Sequence, residues 1–160
     1  MLRNTMLALS FIAAFNNTWA GPLDPIVSMV WVGESMPDQT TSTLQLNLTT
    51  VKPINLLSIS SPVAEKVEIH SLMMHKGKMR LHIVNSFALP AHRTTVFGTR
   101  GLFLMMTGLN KPLNIGDKIP ITLKYSFPDK QIKTIAVEAE VKQMELSYKH
   151  YGPNEVYDHR

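Results

Sequence analysis

The chain has 160 residues with sixteen Lys and Arg, twelve Asp and Glu and no Cys, for a formal net charge of +4. That excess is mild and scattered, with no stripe of cations interleaved with aromatics, which argues against nucleic-acid binding. Without thiols there can be no disulfides and no Cys-based zinc, iron–sulfur or blue-copper centre, so a domain of this size must be held by its core alone.

The first twenty residues read as an export signal. Arg3 is the positive start, residues 6–15 (MLALSFIAAF) are an apolar ten-mer, and Thr18-Trp19-Ala20 ends on small residues suited to cleavage before Gly21. Ten apolar residues fall short of the roughly twenty that span a bilayer. Residues 21–144 are expected to form one domain, with 145–160 a polar, flexible tail.

Within that domain, short β-type runs alternate with turn residues. Residues 26–32 (IVSMVWV) are β-branched and aromatic, and 43–48 (TLQLNL) alternate with Leu44, Leu46 and Leu48 on one face. Residues 54–59 form a third run. In the run 66–72, Val67 and Ile69 face one way while Glu68 and His70 face the other. His75-Lys76-Gly77-Lys78 predicts a hairpin turn into 79–84, where Met79, Leu81 and Ile83 share a face and Arg80 and His82 take the opposite one. Leu89-Pro90-Ala91 reads as a break, followed by a short strand at 94–97. Residues 101–109 (GLFLMMTGL) are almost wholly apolar, as in a strand buried on both sides or lining a site. Residues 119–125 and 132–141 alternate cleanly and should pair across 126–130. About nine strands and no amphipathic helix predict an all-β sandwich or barrel.

Catalytic motifs do not occur: there is no GxSxG elbow, Gly-rich phosphate loop or HExxH, so no enzyme is expected. The Asn47-Leu48-Thr49 sequon falls inside a strand. Eight of the ten Met lie beyond Ala20, six of them from Met73 to Met144. Met is ordinarily core filler, but its thioether is also a soft ligand suited to Cu(I). His70 lies on a strand's polar face, where a lone His is more often a surface residue than a ligand. For Met73, Met74 and Met79 the ordinary role is packing at the sandwich end, and for Met105 and Met106 it is core, with ligation the alternative.

Residues 60–77 (SSPVAEKVEIHSLMMHKG), Met79-Arg80, Leu89-Pro90-Ala91 and 104–122 (LMMTGLNKPLNIGDKIPIT), in that order, resemble the periplasmic copper chaperones called PCu(A)C. Val30-Trp31-Val32 falls where that family has its early Trp-containing strand. The resemblance spans residues 26–141 and implies a cupredoxin-like Greek-key β-sandwich. It also implies a periplasmic, monomeric, non-enzymatic protein that carries Cu(I) to a copper-acceptor protein of the periplasm or inner membrane. The implied destination is the copper centres of cytochrome c oxidase, with no small-molecule substrate.

The family motif is His, ten residues, Met, twenty-one residues, His, one residue, Met. Laid from His70 it falls on Leu81, Phe103 and Met105, so the first His and last Met are present and two apolar residues replace the others. The metal ligands implied for this chain are therefore His70 and Met105, with Met79 standing in for the thioether missing at Leu81. Met74 is a further candidate. His82 points to the wrong face, and His75 and His92 are turn residues without assigned geometry. The rival expectation is a copper-free sandwich in which Leu81 and Phe103 complete an apolar patch for a protein partner.

Overall fold

The computed structural model of the chain describes residues 23–98 and 101–143. The expected signal segment 1–20 and tail 145–160 lie outside the described residues. Ten strands and no helix are present among the described residues: β1 (Ile26–Gly33), β2 (Thr41–Thr50), β3 (Ile54–Ser60), β4 (Ala64–His75), β5 (Lys78–Val84), β6 (Phe87–Leu89), β7 (Arg93–Phe97), β8 (Leu102–Leu109), β9 (Lys118–Ser126) and β10 (Ile132–Lys142).

The alternation legible in the sequence becomes inside and outside. On β2, Ser42, Leu44, Leu46, Leu48 and Thr50 are buried, with every intervening residue more exposed. On β9, Ile119, Ile121, Leu123 and Tyr125 are buried in the same way. These rows pack with Ile69, Leu104, Met106, Ala139 and Val141 into one core. Two-residue periodicity lets each strand present one apolar row to that core and one polar row to water.

The strands are joined in the order β4, β8, β2, β1, β10, β9, β3, and an extra pairing of β3 with β4 at Ile59 and Val67 closes this run of seven into a barrel. The β1–β10 pair is parallel, whereas the other pairs are antiparallel. Closure removes most free edges. Three short strands stand outside the ring: β7 on β2, β6 on β3 and β5 on β4. Of the two expectations for segment 101–109, burial on both sides is not met: Leu104 and Met106 are buried, while Phe103 and Met105 are half-buried on the other face. The break expected at Leu89-Pro90-Ala91 is preceded by β6, a strand too short to show a period.

Two features fix the ends. Tyr125 Oη donates to Asp24 Oδ1 at 2.9 Å, and Lys133 Nζ reaches the same oxygen at 2.8 Å, tying the chain's entry to the β9–β10 end of the barrel. Burial, the Asp24 hydrogen bond and the Asp24 charge, in that order, push the Tyr125 hydroxyl well above its ordinary pKa. At the β4–β5 turn, Lys76 and Gly77 both have positive φ, 49° and 74°. That is the two-residue type I′ geometry whose twist matches an antiparallel pair. It produces a hairpin longer than the sequence predicts: β4 continues to His75 and projects with β5 past the barrel wall.

Candidate metal centre

The long strand β4 lies between two neighbours, and its registers decide which side chains meet. Against β8, His70 is opposite Phe103 and Glu68 is opposite Met105. Against β5, His70 is opposite Ile83, Leu72 opposite Leu81, and Met74 opposite Met79. Directly opposed residues share a face, so Glu68, His70, Leu72, Met74, Met79, Leu81, Ile83, Phe103 and Met105 all lie on one face. It is the outer face of the barrel, because Ile69, Leu104 and Met106 fill the other.

His70 is unusual on that face. It is only 8% exposed, although its strand pattern placed it among the polar residues. Its Nε2 lies 3.3 Å from Glu68 Oε2, and its Nδ1 is buried with no hydrogen-bond partner. A carboxylate only accepts, so Nε2 carries the proton toward Glu68, and in the neutral ring Nδ1 is left with a bare lone pair. An unpartnered buried acceptor costs about 1–3 kcal/mol. A ring held by a carboxylate through one nitrogen with the other free is the arrangement that orients His as a metal ligand.

Met105 is the diagonal cross-strand neighbour of His70, at a Cβ separation of roughly 7 Å that a long thioether side chain can bridge. Met79 is placed elsewhere. It pairs with Met74, four residues along β4 from His70, while Met105 pairs with Glu68 on the other side. Met79 and Met105 are thus six residues apart along the strand direction, about 20 Å at strand rise. The register makes Met105 a diagonal neighbour of His70 and puts Met79 with Met74, as an exposed thioether pair near the hairpin tip. Phe103 and Leu81 stand where the motif would have its other ligands: Phe103 directly across from His70, and Leu81 one row away.

The other described histidines keep apart from this group. His82 is opposite Ser71 on the other face, with no bulge to bring it round. His75 ends β4 opposite Lys78. His92 sits in a turn at φ 56°, where its amide donates to the Thr50 carbonyl. Among the described residues no three His, Cys, Asp or Glu gather as a metal site, so any ion here would need sulfur ligands as well. The residue overlooked in the sequence is Glu68. Its signal was the two-residue spacing to His70, which puts both on one face of a strand.

The sequence model of the LpqE-like family, described as lipoprotein, matches residues 26–147. No curated protein matches the chain. Among solved structures, the chain is similar to apo-DR1885 from Deinococcus radiodurans, with 27% identity, 89% of this chain and 94% of that one covered, and a TM-score of 0.60. CuI-DR1885 from the same organism is 25% identical over 83% of this chain and 87% of that one, at a TM-score of 0.54. The copper-bound PCuAC domain from PmoF2 is 14% identical over 74% of this chain and 92% of that one, at a TM-score of 0.59, a likeness of fold.

Proposed function

The chain belongs to the LpqE-like family, and from that premise we propose that it is a non-enzymatic copper chaperone that binds Cu(I) and passes it to an acceptor protein. The observation that carries this reading is the His70 ring, held by Glu68 at Nε2 and left with a bare, buried Nδ1, with Met105 its diagonal neighbour on β8. Imidazole plus thioether is a soft, uncharged donor pair that suits Cu(I) over Zn(II). In this proposal His70 and Met105 hold the ion. Met79, with Met74 across from it, is a second, exposed thioether station on the hairpin.

Transfer proceeds by ligand exchange. Because Nδ1 is sealed, a neighbouring side chain must turn aside for the ion to enter or leave, whereas the Met74–Met79 pair is open to solvent. Thioethers also suit an oxidising compartment, because they do not form disulfides. We place the protein in the periplasm, exported with cleavage after Ala20, as a cupredoxin-like Greek-key domain that serves the copper centres of cytochrome c oxidase. Export is supported by the family's description as lipoprotein.

A second reading is favoured by the exposed apolar row Met79, Leu81 and Ile83: a copper-free interaction module. Titration of the protein with Cu(I) against a calibrated chelator separates the two. The chaperone reading expects binding stronger than for Zn(II) and lost in His70→Ala. Equal Zn(II) binding, or wild-type Cu(I) affinity in His70→Ala, overturns it.

A further inference from the structure

The ring of seven strands leaves β5 at one end of the sheet, paired to β4 on one side and, among the described residues, to no strand on the other. We propose that this free edge takes up an extended partner strand of alternating apolar and acidic residues, which adds to the sheet beside β5. The proposal concerns protein recognition and does not rest on copper binding.

Three observations lead to it. The first is backbone polarity. His75 and Lys78 close the two-residue turn as its hydrogen-bonded pair, so the pairs Met74–Met79 and Leu72–Leu81 are the non-bonded ones. The N–H and C=O groups of Met79 and Leu81 therefore point away from β4, toward the open edge. The second is the side-chain pattern. Met79 and Leu81 are 59% and 51% exposed on one face, while Lys78, Arg80 and His82 are exposed on the other. The third is charge. Residues 75–82 (HKGKMRLH) hold three fixed cations, two His and no acid. Among the described residues no acidic side chain forms an ion pair with Lys78 or Arg80.

Together these specify the occupant. A strand laid along the edge would satisfy the outward amides and carbonyls of Met79 and Leu81, the usual source of affinity in strand addition. Apolar side chains on it would extend the Met79 and Leu81 row, and acidic ones would neutralise Lys78 and Arg80. A second copy of this chain fits poorly, because antiparallel β5–β5 pairing sets one cationic row against another. An anionic bilayer fits poorly too. The apolar and cationic rows face opposite ways on one hairpin, and lipid cannot pair the edge amides. The cations thus have two effects: they block self-pairing and they select an acidic strand.

The test uses the full chain in copper-free buffer with a terminally blocked peptide of alternating Val and Glu. Its Val/Lys counterpart and phosphatidylglycerol vesicles are the controls. Saturable Val/Glu binding is expected, with the largest amide NMR shifts at Met79 and Leu81 and the Val/Lys peptide weaker by about tenfold or more. Arg80→Glu should reverse that preference. Leu81→Pro removes one outward N–H without touching a β4–β5 hydrogen bond, and should cost about tenfold while the barrel resonances stay in place. The proposal is overturned by indifference to peptide charge, by unchanged binding in Arg80→Glu, or by vesicles binding where the peptide does not. Because copper is absent throughout, these outcomes leave the Cu(I) reading to its own titration.

Discussion

Phe103 stands directly opposite His70 on the outer face of the barrel, so Phe103→His would set two imidazoles across one strand pair. Directly opposed residues have Cβ atoms about 4.5–5.5 Å apart. Metal–imidazole bonds run about 2.0–2.1 Å, so both rings can turn onto a single ion between the strands. The substitution adds one donor to a site that now has an imidazole and a thioether. The expected gain is at least about 1.4 kcal/mol, or tenfold tighter Cu(I) binding. Phe103 is only half-buried, so its removal should cost the fold no more than about 1–1.5 kcal/mol of apolar contact. Cu(I) dissociation constants, measured anaerobically against a calibrated chelator, are needed for four proteins: wild type, Phe103→His, His70→Ala and the double variant. The gain should disappear in the double variant, because the new imidazole acts with His70. Unchanged affinity on Phe103→His, or a gain that survives His70→Ala, would refute the site as drawn.

Further outcomes follow from the same geometry. Leu81→Met places a thioether one row from His70 and should tighten Cu(I) further, whereas Met79→Leu, about 20 Å from Met105 along the strand direction, should leave the affinity of the His70–Met105 site unchanged; the same competition assay measures both. Tyr125→Phe removes the hydroxyl that donates to buried Asp24 and should cost about 1.5–3 kcal/mol in chemical denaturation, even with Lys133 still on the same carboxylate oxygen. Because the folded Tyr125 hydroxyl is held above its unfolded value of about 10, its stabilisation is complete below that pH and lost as pH rises beyond it. Denaturation midpoints from pH 8 to 11 should therefore fall in the wild type more steeply than in Tyr125→Phe. Exported protein should begin at Gly21; an intact mass that retains Met1 would refute cleavage after Ala20.

Much of the barrel was legible one strand at a time. Leu44, Leu46 and Leu48 announce the inner row of β2, and the alternation of residues 119–125 and 132–141 announces the β9–β10 pair. The turn at Lys76-Gly77 was visible for the same local reason: Gly readily takes the positive φ that such a turn needs. The short strand β6 was not legible, because three residues beside a proline carry no period. The end of β4 was also misplaced. Its last residues, Met73, Met74 and His75, are exposed on both faces, so no alternation of burial extends to the turn.

For the candidate site the division is sharper. The sequence by itself determined that Glu68 and His70 share a face of their strand, that Met79 and Leu81 share a face of theirs, and that Leu81 and Phe103 replace two ligands of the resembled motif. These are local facts, set by the two-residue period of a strand. Only the tertiary structure decided that β4 runs between β5 and β8, which brings Phe103 across from His70, Met105 within one diagonal, and Met79 to a separate place on the hairpin. It alone decided that His70 is buried with one ring nitrogen unpartnered. Pairing and register join residues far apart in the chain. They are set by which apolar faces can close together on one core, a condition that no single segment contains.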